Sequence, residues 1–153
     1  MRSSLGNIEG VVPESSDDYS DPGEYLRERF YVGGLWRVER ERMLFQGSDN
    51  APGLAVLRYE ALEANAVLSS SSGKLIEVEL AHDGRPLTKE YAGSDVIVTN
   101  ESQSILFVDK PRMYQLTKNK EFGEHLLRLR TSSAGLELYA FSFTSCVLGG
   151  VVP

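Results

Sequence analysis

From Leu35 onward, apolar and polar positions alternate with a period of two. In Leu35-Trp36-Arg37-Val38-Glu39-Arg40 the charged Arg37 and Glu39 interleave with Trp36 and Val38, which describes a strand with one wet face. Gly47-Ser48-Asp49-Asn50 with Pro52-Gly53 supplies the turn that ends it. The segment Leu54 to Leu68 is ambiguous: Leu54, Leu57, Ala61, Leu62 and Asn65 fit a helical period, whereas Ala55, Leu57, Tyr59 and Ala61 fit a strand. Its context decides for strands. Ile76, Val78 and Leu80 alternate with Glu77 and Glu79 before the turn Asp83-Gly84-Arg85-Pro86. Then follow runs at Asp95–Thr99, Ser104–Val108, Met113–Leu116, His125–Leu129 and Leu136–Phe143, separated by Gly, Asn, Asp, Ser and Pro. Short strands at such spacing predict an all-β, antiparallel sandwich or barrel. In the last run Tyr139, Phe141 and Phe143 are expected on one face and Leu138 and Ala140 on the other, as in a central strand.

The first residues break this pattern. Residues 1–24 are rich in Ser, Asp, Gly and Pro and read as a flexible leader or linker, the sandwich is expected over 25–146, and 147–153 read as a loose tail.

Composition narrows the function. A chain of 153 residues, 41% hydrophobic and 25% charged, has the size and balance of one globular domain. Sixteen Lys plus Arg against 22 Asp plus Glu leave a formal charge of -6 with no basic, aromatic-rich stretch, which disfavours nucleic acid as a partner. No window reaches the roughly 18 to 20 consecutive apolar residues that span a bilayer, and residues 1–30 lack a signal-peptide core. The expectation is a soluble chain, cytoplasmic as written.

Candidate chemistry is sparse. The lone Cys146 has no internal partner and no Lys, Arg or His within three residues to activate it, so a buried strand-end thiol is expected. There is no CxxC, and no cluster of Cys and His at metal-ligand spacing, so no metal or cofactor is expected. His82 reads as a turn histidine and His125 as a strand-edge histidine, not as members of a catalytic set. Glu77 and Glu79 share a strand face at about 6.5 to 7 Å, a spacing glycosidases use, but alternating glutamates are also what a solvated face looks like. Asp83 and Asp95 stand where sandwich loops hold calcium, without the run of alternating carboxylates such a site needs.

Several signatures occur in a recognisable order: Gly34-Leu35-Trp36, Ala64-Asn65-Ala66-Val67-Leu68, and Val78-Glu79-Leu80 leading to Asp83-Gly84-Arg85-Pro86. They continue through Gly93-Ser94-Asp95-Val96, Pro111–Leu116, Glu124-His125-Leu126-Leu127 and Leu138–Thr144. This series resembles the thioredoxin-like C-terminal domain family, which follows the thioredoxin fold in bacterial thiol-disulfide oxidoreductases of the DipZ type. The family's usual closing glycine is replaced by Thr144-Ser145. The resemblance implies a jelly-roll-like, carbohydrate-binding-module-like sandwich serving as a non-catalytic binding or docking module, in a family often found outside the cytoplasm. No catalytic residue carries over, because the family's redox cysteines lie outside this domain.

For a carbohydrate ligand, the site candidates are exposed rings and hydrogen-bonding side chains. Tyr91, between strands, is the leading stacking candidate; Trp36 is either a core plug or a platform. Arg112 and Tyr114 share a strand face and either hold a sugar or form a structural stacked or ionic pair with Asp83, Asp95 or Glu124. Asp83 is a further candidate. The alternative is a structural or oligomerisation domain that packs on a thioredoxin-fold redox partner or on another copy.

Overall fold

The computed structural model describes residues 4–145, which hold ten strands and no helix. They are β1 (Ser4–Leu5), β2 (Ser15–Tyr19), β3 (Arg29–Val38), β4 (Met43–Phe45), β5 (Gly53–Ser70), β6 (Ile76–His82), β7 (Val96–Val98), β8 (Ser104–Val108), β9 (Arg112–Thr131) and β10 (Leu136–Thr144). The hydrogen-bonded order is β1-β3-β4-β10-β5-β9-β6-β8-β7, with β2 on β3 and a further β3–β5 pairing. Apart from the short parallel β1–β3 contact, the pairings are antiparallel.

β5 makes the architecture. Its first half, Leu54–Arg58, lies on Gly33–Arg29 of β3, while its second half, Glu63–Ser70, pairs with β10. β4 bridges β3 and β10, so β3, β4, β10 and β5 close on one another. The resulting all-β sandwich encloses one main core, in which Trp36, Phe45, Leu57, Leu68, Leu80, Leu106, Leu116, Leu127 and Phe141 are fully buried. Each such side chain contributes roughly 1.5 to 3 kcal/mol of transfer free energy before entropy is set against it.

Three expectations change. The polar run read as a leader is part of the sheet: Ser15–Tyr19 pairs with Val38–Gly34, and Tyr19 is buried with its hydroxyl donating to the Gly10 carbonyl at 2.9 Å. Asn7 explains how so polar a segment is held, since its amide donates to the Val32 and Ser20 carbonyls at 2.8 and 3.0 Å and accepts from the Val32 N–H at 2.8 Å. Backbone pairing needs no apolar pattern. The runs at Met113–Leu116 and His125–Leu129 are two ends of the single strand β9, whose middle, 119–122, bulges out of the β5 pairing between Lys118 and Gly123. β4 is too short for its alternation to be read. Tyr139 sits at a β-bulge between Leu138 and Ala140, so Leu138 and Phe141 both enter the core and the Tyr139 hydroxyl instead takes a hydrogen bond from Arg42 at 3.2 Å. β10 is central as expected, between β4 and β5. Cys146 and the expected tail at 147–153 lie outside the described residues.

Candidate functional site

The inner face of the sandwich runs out into a polar cluster. Along β5 and β9 the core ladder pairs Ala55 with Leu129, Leu57 with Leu127 and then Tyr59 with His125. On the other flank of β9, Leu80 opposes Leu129 and His82 opposes Leu127. The period of two that buries Leu80 therefore carries His82 to the margin of the same core, next to His125. The two imidazoles stack with centroids 4.7 Å apart, and the Tyr59 ring lies 5.6 Å from His125 and 5.7 Å from Phe143.

A tight turn adds the carboxylate. Asp83 and Gly84 have φ of 52° and 81°, and His82 and Arg85 exchange backbone hydrogen bonds of 2.6 and 3.2 Å across them. Positive φ at both central residues is the two-residue hairpin turn that Asp-Gly favours. It aims Asp83 back at β9, where Oδ2 accepts from His125 Nδ1 at 2.7 Å and Oδ1 from the Leu126 N–H at 2.8 Å. His82 Nδ1 stands 3.6 Å from the same Oδ2.

Tyr59 anchors the buried side of the cluster. Its hydroxyl contacts His82 Nε2 at 3.1 Å and Thr117 Oγ1 at 3.0 Å and donates to Asn119 Oδ1 at 3.0 Å. Asn119 Nδ2 lies 3.5 Å from the same His82 nitrogen. Burial raises the Tyr59 phenol well above its usual value and, working against the Asp83 charge, lowers His82 below the usual imidazole range. Burial works to raise Asp83, but the hydrogen bonds from His125 and the Leu126 N–H outweigh it and hold the carboxyl below its ordinary value.

His82, Asp83 and His125 line a cavity of about 460 Å³ together with Tyr91, Asn119, Lys120 and Glu121. Tyr91 is brought there by a loop stitched to β9. The Gly93 N–H donates to the Leu116 carbonyl at 2.9 Å, and the Lys118 N–H to the Tyr91 carbonyl at 2.8 Å. Gly93 permits this approach, because a Cβ there would run into the Gln115 carbonyl.

Of the candidates named from sequence, Tyr91 and Asp83 meet in this cavity and the other three lie elsewhere. Trp36 is 1% exposed, with Nε1 donating to the Gly33 carbonyl at 2.9 Å and its ring 5.3 Å from Phe45; it is a core residue and offers no platform. Tyr114 is likewise buried, its hydroxyl donating to the Lys110 carbonyl at 2.8 Å. The Arg112 guanidinium covers that ring at 3.9 Å and is held by Asp95 at 2.9 Å, the structural pairing rather than the ligand-holding one. Glu77 and Glu79 lie on the wetter face of β6, alternating with buried Ile76, Val78 and Leu80. What sequence reasoning passed over is His82, His125, Tyr59 and Asn119. The available signal was that both histidines of the chain flank turn-and-strand boundaries; their meeting depends on pairings across β5, β9 and β6.

Fold and site thus define an all-β sandwich with a polar, aromatic-edged cavity at one end of its core. A family model described as the thioredoxin-like C-terminal domain matches residues 2–144, and the chain belongs to that family, whose members are accessory domains of thiol-disulfide oxidoreductases. No curated protein matches this chain.

Proposed function

We propose that this domain is a non-catalytic binding module of its oxidoreductase and that its ligand is a carbohydrate. The observation that carries this reading is the composition of the cavity: the partly buried Tyr91 ring stands beside the amide of Asn119, the ammonium of Lys120 and the carboxylates of Glu121 and Asp83. A ring takes the apolar face of a sugar, and amides, ammonium groups and carboxylates take its hydroxyls. The non-catalytic part is supported by the family, whose members are accessory domains. A second reading, docking on a redox partner or another copy, is favoured by Ile97 and Phe107, which stand exposed on the β7–β8 edge.

A glycan array followed by titration tests the choice. A shallow polar site of this size gives Kd values of roughly 10 μM to 1 mM. Tyr91→Ala should weaken binding about three- to tenfold, the range of a lost stacking contact. Arg112→Ala should leave affinity unchanged, since Arg112 does not line the cavity. Absence of any glycan hit, together with a concentration-dependent dimer, would overturn the carbohydrate reading in favour of docking.

A further inference from the structure

We propose that His82, Asp83 and His125 form a binding site for a divalent transition-metal cation of the zinc type, with a coordination position open to the cavity. The site stands whether or not a sugar enters beside Tyr91. One ligand atom from each residue lies within 4.8 Å of the others. Two imidazole nitrogens and one carboxylate oxygen make up a donor set suited to Zn²⁺, and the missing fourth ligand is the mark of an open rather than a closed site.

The hydrogen bonding around Tyr59 supplies the second argument. The Tyr59 hydroxyl donates to Asn119 Oδ1, lies 3.0 Å from Thr117 Oγ1 and holds His82 by its Nε2 at 3.1 Å, which leaves Nδ1 as the ring nitrogen turned toward Asp83. Thr117 Oγ1 in turn accepts from the Ala64 N–H at 3.0 Å. His82 Nδ1 stands 3.6 Å from the Asp83 carboxylate oxygen, and in the tautomer that carries the ring proton on Nε2 its lone pair is turned to the same place as that oxygen, where a cation would take both. Tyr59 acts as the positioning residue that holds the His82 ring through Nε2, as partners of metal-bound imidazoles do.

Two of the three separations are near those of a tetrahedral ion, and the widest, up to 4.8 Å, has to close by about 1.5 Å as the ion binds. Ligands at about 2.0 to 2.1 Å from zinc lie about 3.3 Å from one another. The His82–Asp83 separation of 3.6 Å already matches this spacing. The His125–Asp83 hydrogen bond of 2.7 Å has to open by about half an ångström as the cation replaces the Nδ1 proton and the neutral ring carries its proton on Nε2. Both side chains have room to move, at 20% and 49% exposed.

The test is a Zn²⁺ titration of the full chain by calorimetry and chelator competition, with Co²⁺ as a spectroscopic stand-in and NMR of the two imidazoles. One Zn²⁺ per chain is expected, with the ring signals of His82 and His125 moving together. His125→Gln and Asp83→Asn, the latter keeping an acceptor for the Leu126 N–H, should lose stoichiometric binding while keeping the β spectrum. Tyr59→Phe should retain the site with affinity lowered about tenfold or more. The proposal is overturned if Zn²⁺ does not bind stoichiometrically, if it shifts neither imidazole, if both ligand variants bind as the parent does, or if Ca²⁺ is preferred.

Discussion

Asp95 is a place where one carboxylate fastens two elements, and its removal has a calculable signature. Its Oδ1 takes Arg112 Nη2 at 2.9 Å and its Oδ2 takes the Gln115 N–H at 2.7 Å, which ties the loop before β7 to the start of β9. The Arg112 hydrogen bond, outweighing burial and helped by the Gln115 N–H, holds its carboxyl below the usual carboxylate range. Hydrogen bonds to charged groups are worth about 1.5 to 3 kcal/mol where shielded, while exposed ion pairs are worth about 0 to 1 kcal/mol. With Arg112 41% and Asp95 21% exposed, the pair belongs nearer the lower range. Asp95→Asn keeps an acceptor for Gln115 and should cost about 1 kcal/mol; Asp95→Ala loses both and should cost about 2 kcal/mol. For a chain of this length, 1 kcal/mol corresponds to about 2 to 4 °C in Tm. Urea unfolding followed by Trp36 emission measures the difference, read as a shift in midpoint at constant slope. Because the folded-state pKa is depressed, the stabilisation is present above the unfolded value of about 3.9 and is lost as pH falls through the folded value. The parent and Asp95→Asn curves should therefore differ at neutral pH and converge as pH falls through the depressed folded value of Asp95. A gap that is absent at pH 7, or one that does not narrow on acidification below the unfolded value, would refute the reasoning.

Two further outcomes follow from packing. Gly93→Ala should destabilise by roughly 1 to 3 kcal/mol, because its Cβ meets the backbone at Gln115 rather than a side chain that can yield; a melting temperature equal to the parent's would show that the loop gives way. Trp36→Ala should cost about 3 to 5 kcal/mol in denaturant unfolding followed by circular dichroism, and a cost below about 1 kcal/mol would contradict its place in the core.

The strands that were legible are those with a long apolar-polar alternation. Ile76 to Leu80 and Ser104 to Val108 each write their own buried face, and Asp83-Gly84 writes its own turn, since the φ values required are a local property of those residues. β2 and the middle of β9 were not legible, because Ser15–Tyr19 is held by backbone pairing to β3 and 119–122 bulges out of the pairing with β5, and neither carries an apolar alternation of its own. The bulge at Tyr139 was hidden for a related reason: one extra residue reverses the faces on one side of it, and only the β5 partner reveals where the slip falls.

The sequence by itself determined the all-β class, the centrality of the aromatic last strand, the resemblance to the thioredoxin-like C-terminal domains, and Tyr91 and Asp83 as residues of interest. Each of these rests on local patterning or on motifs in fixed order. Only the tertiary structure decided that Trp36 and Tyr114 are interior, that Arg112 caps a ring and pairs with Asp95, and that two isolated histidines share a site. Burial depends on what the opposite sheet presents. His82 and His125 meet because β6 and β5 both pair with β9 in registers that bring Leu127 opposite His82 and Tyr59 opposite His125, a relation between distant segments that no local spacing encodes.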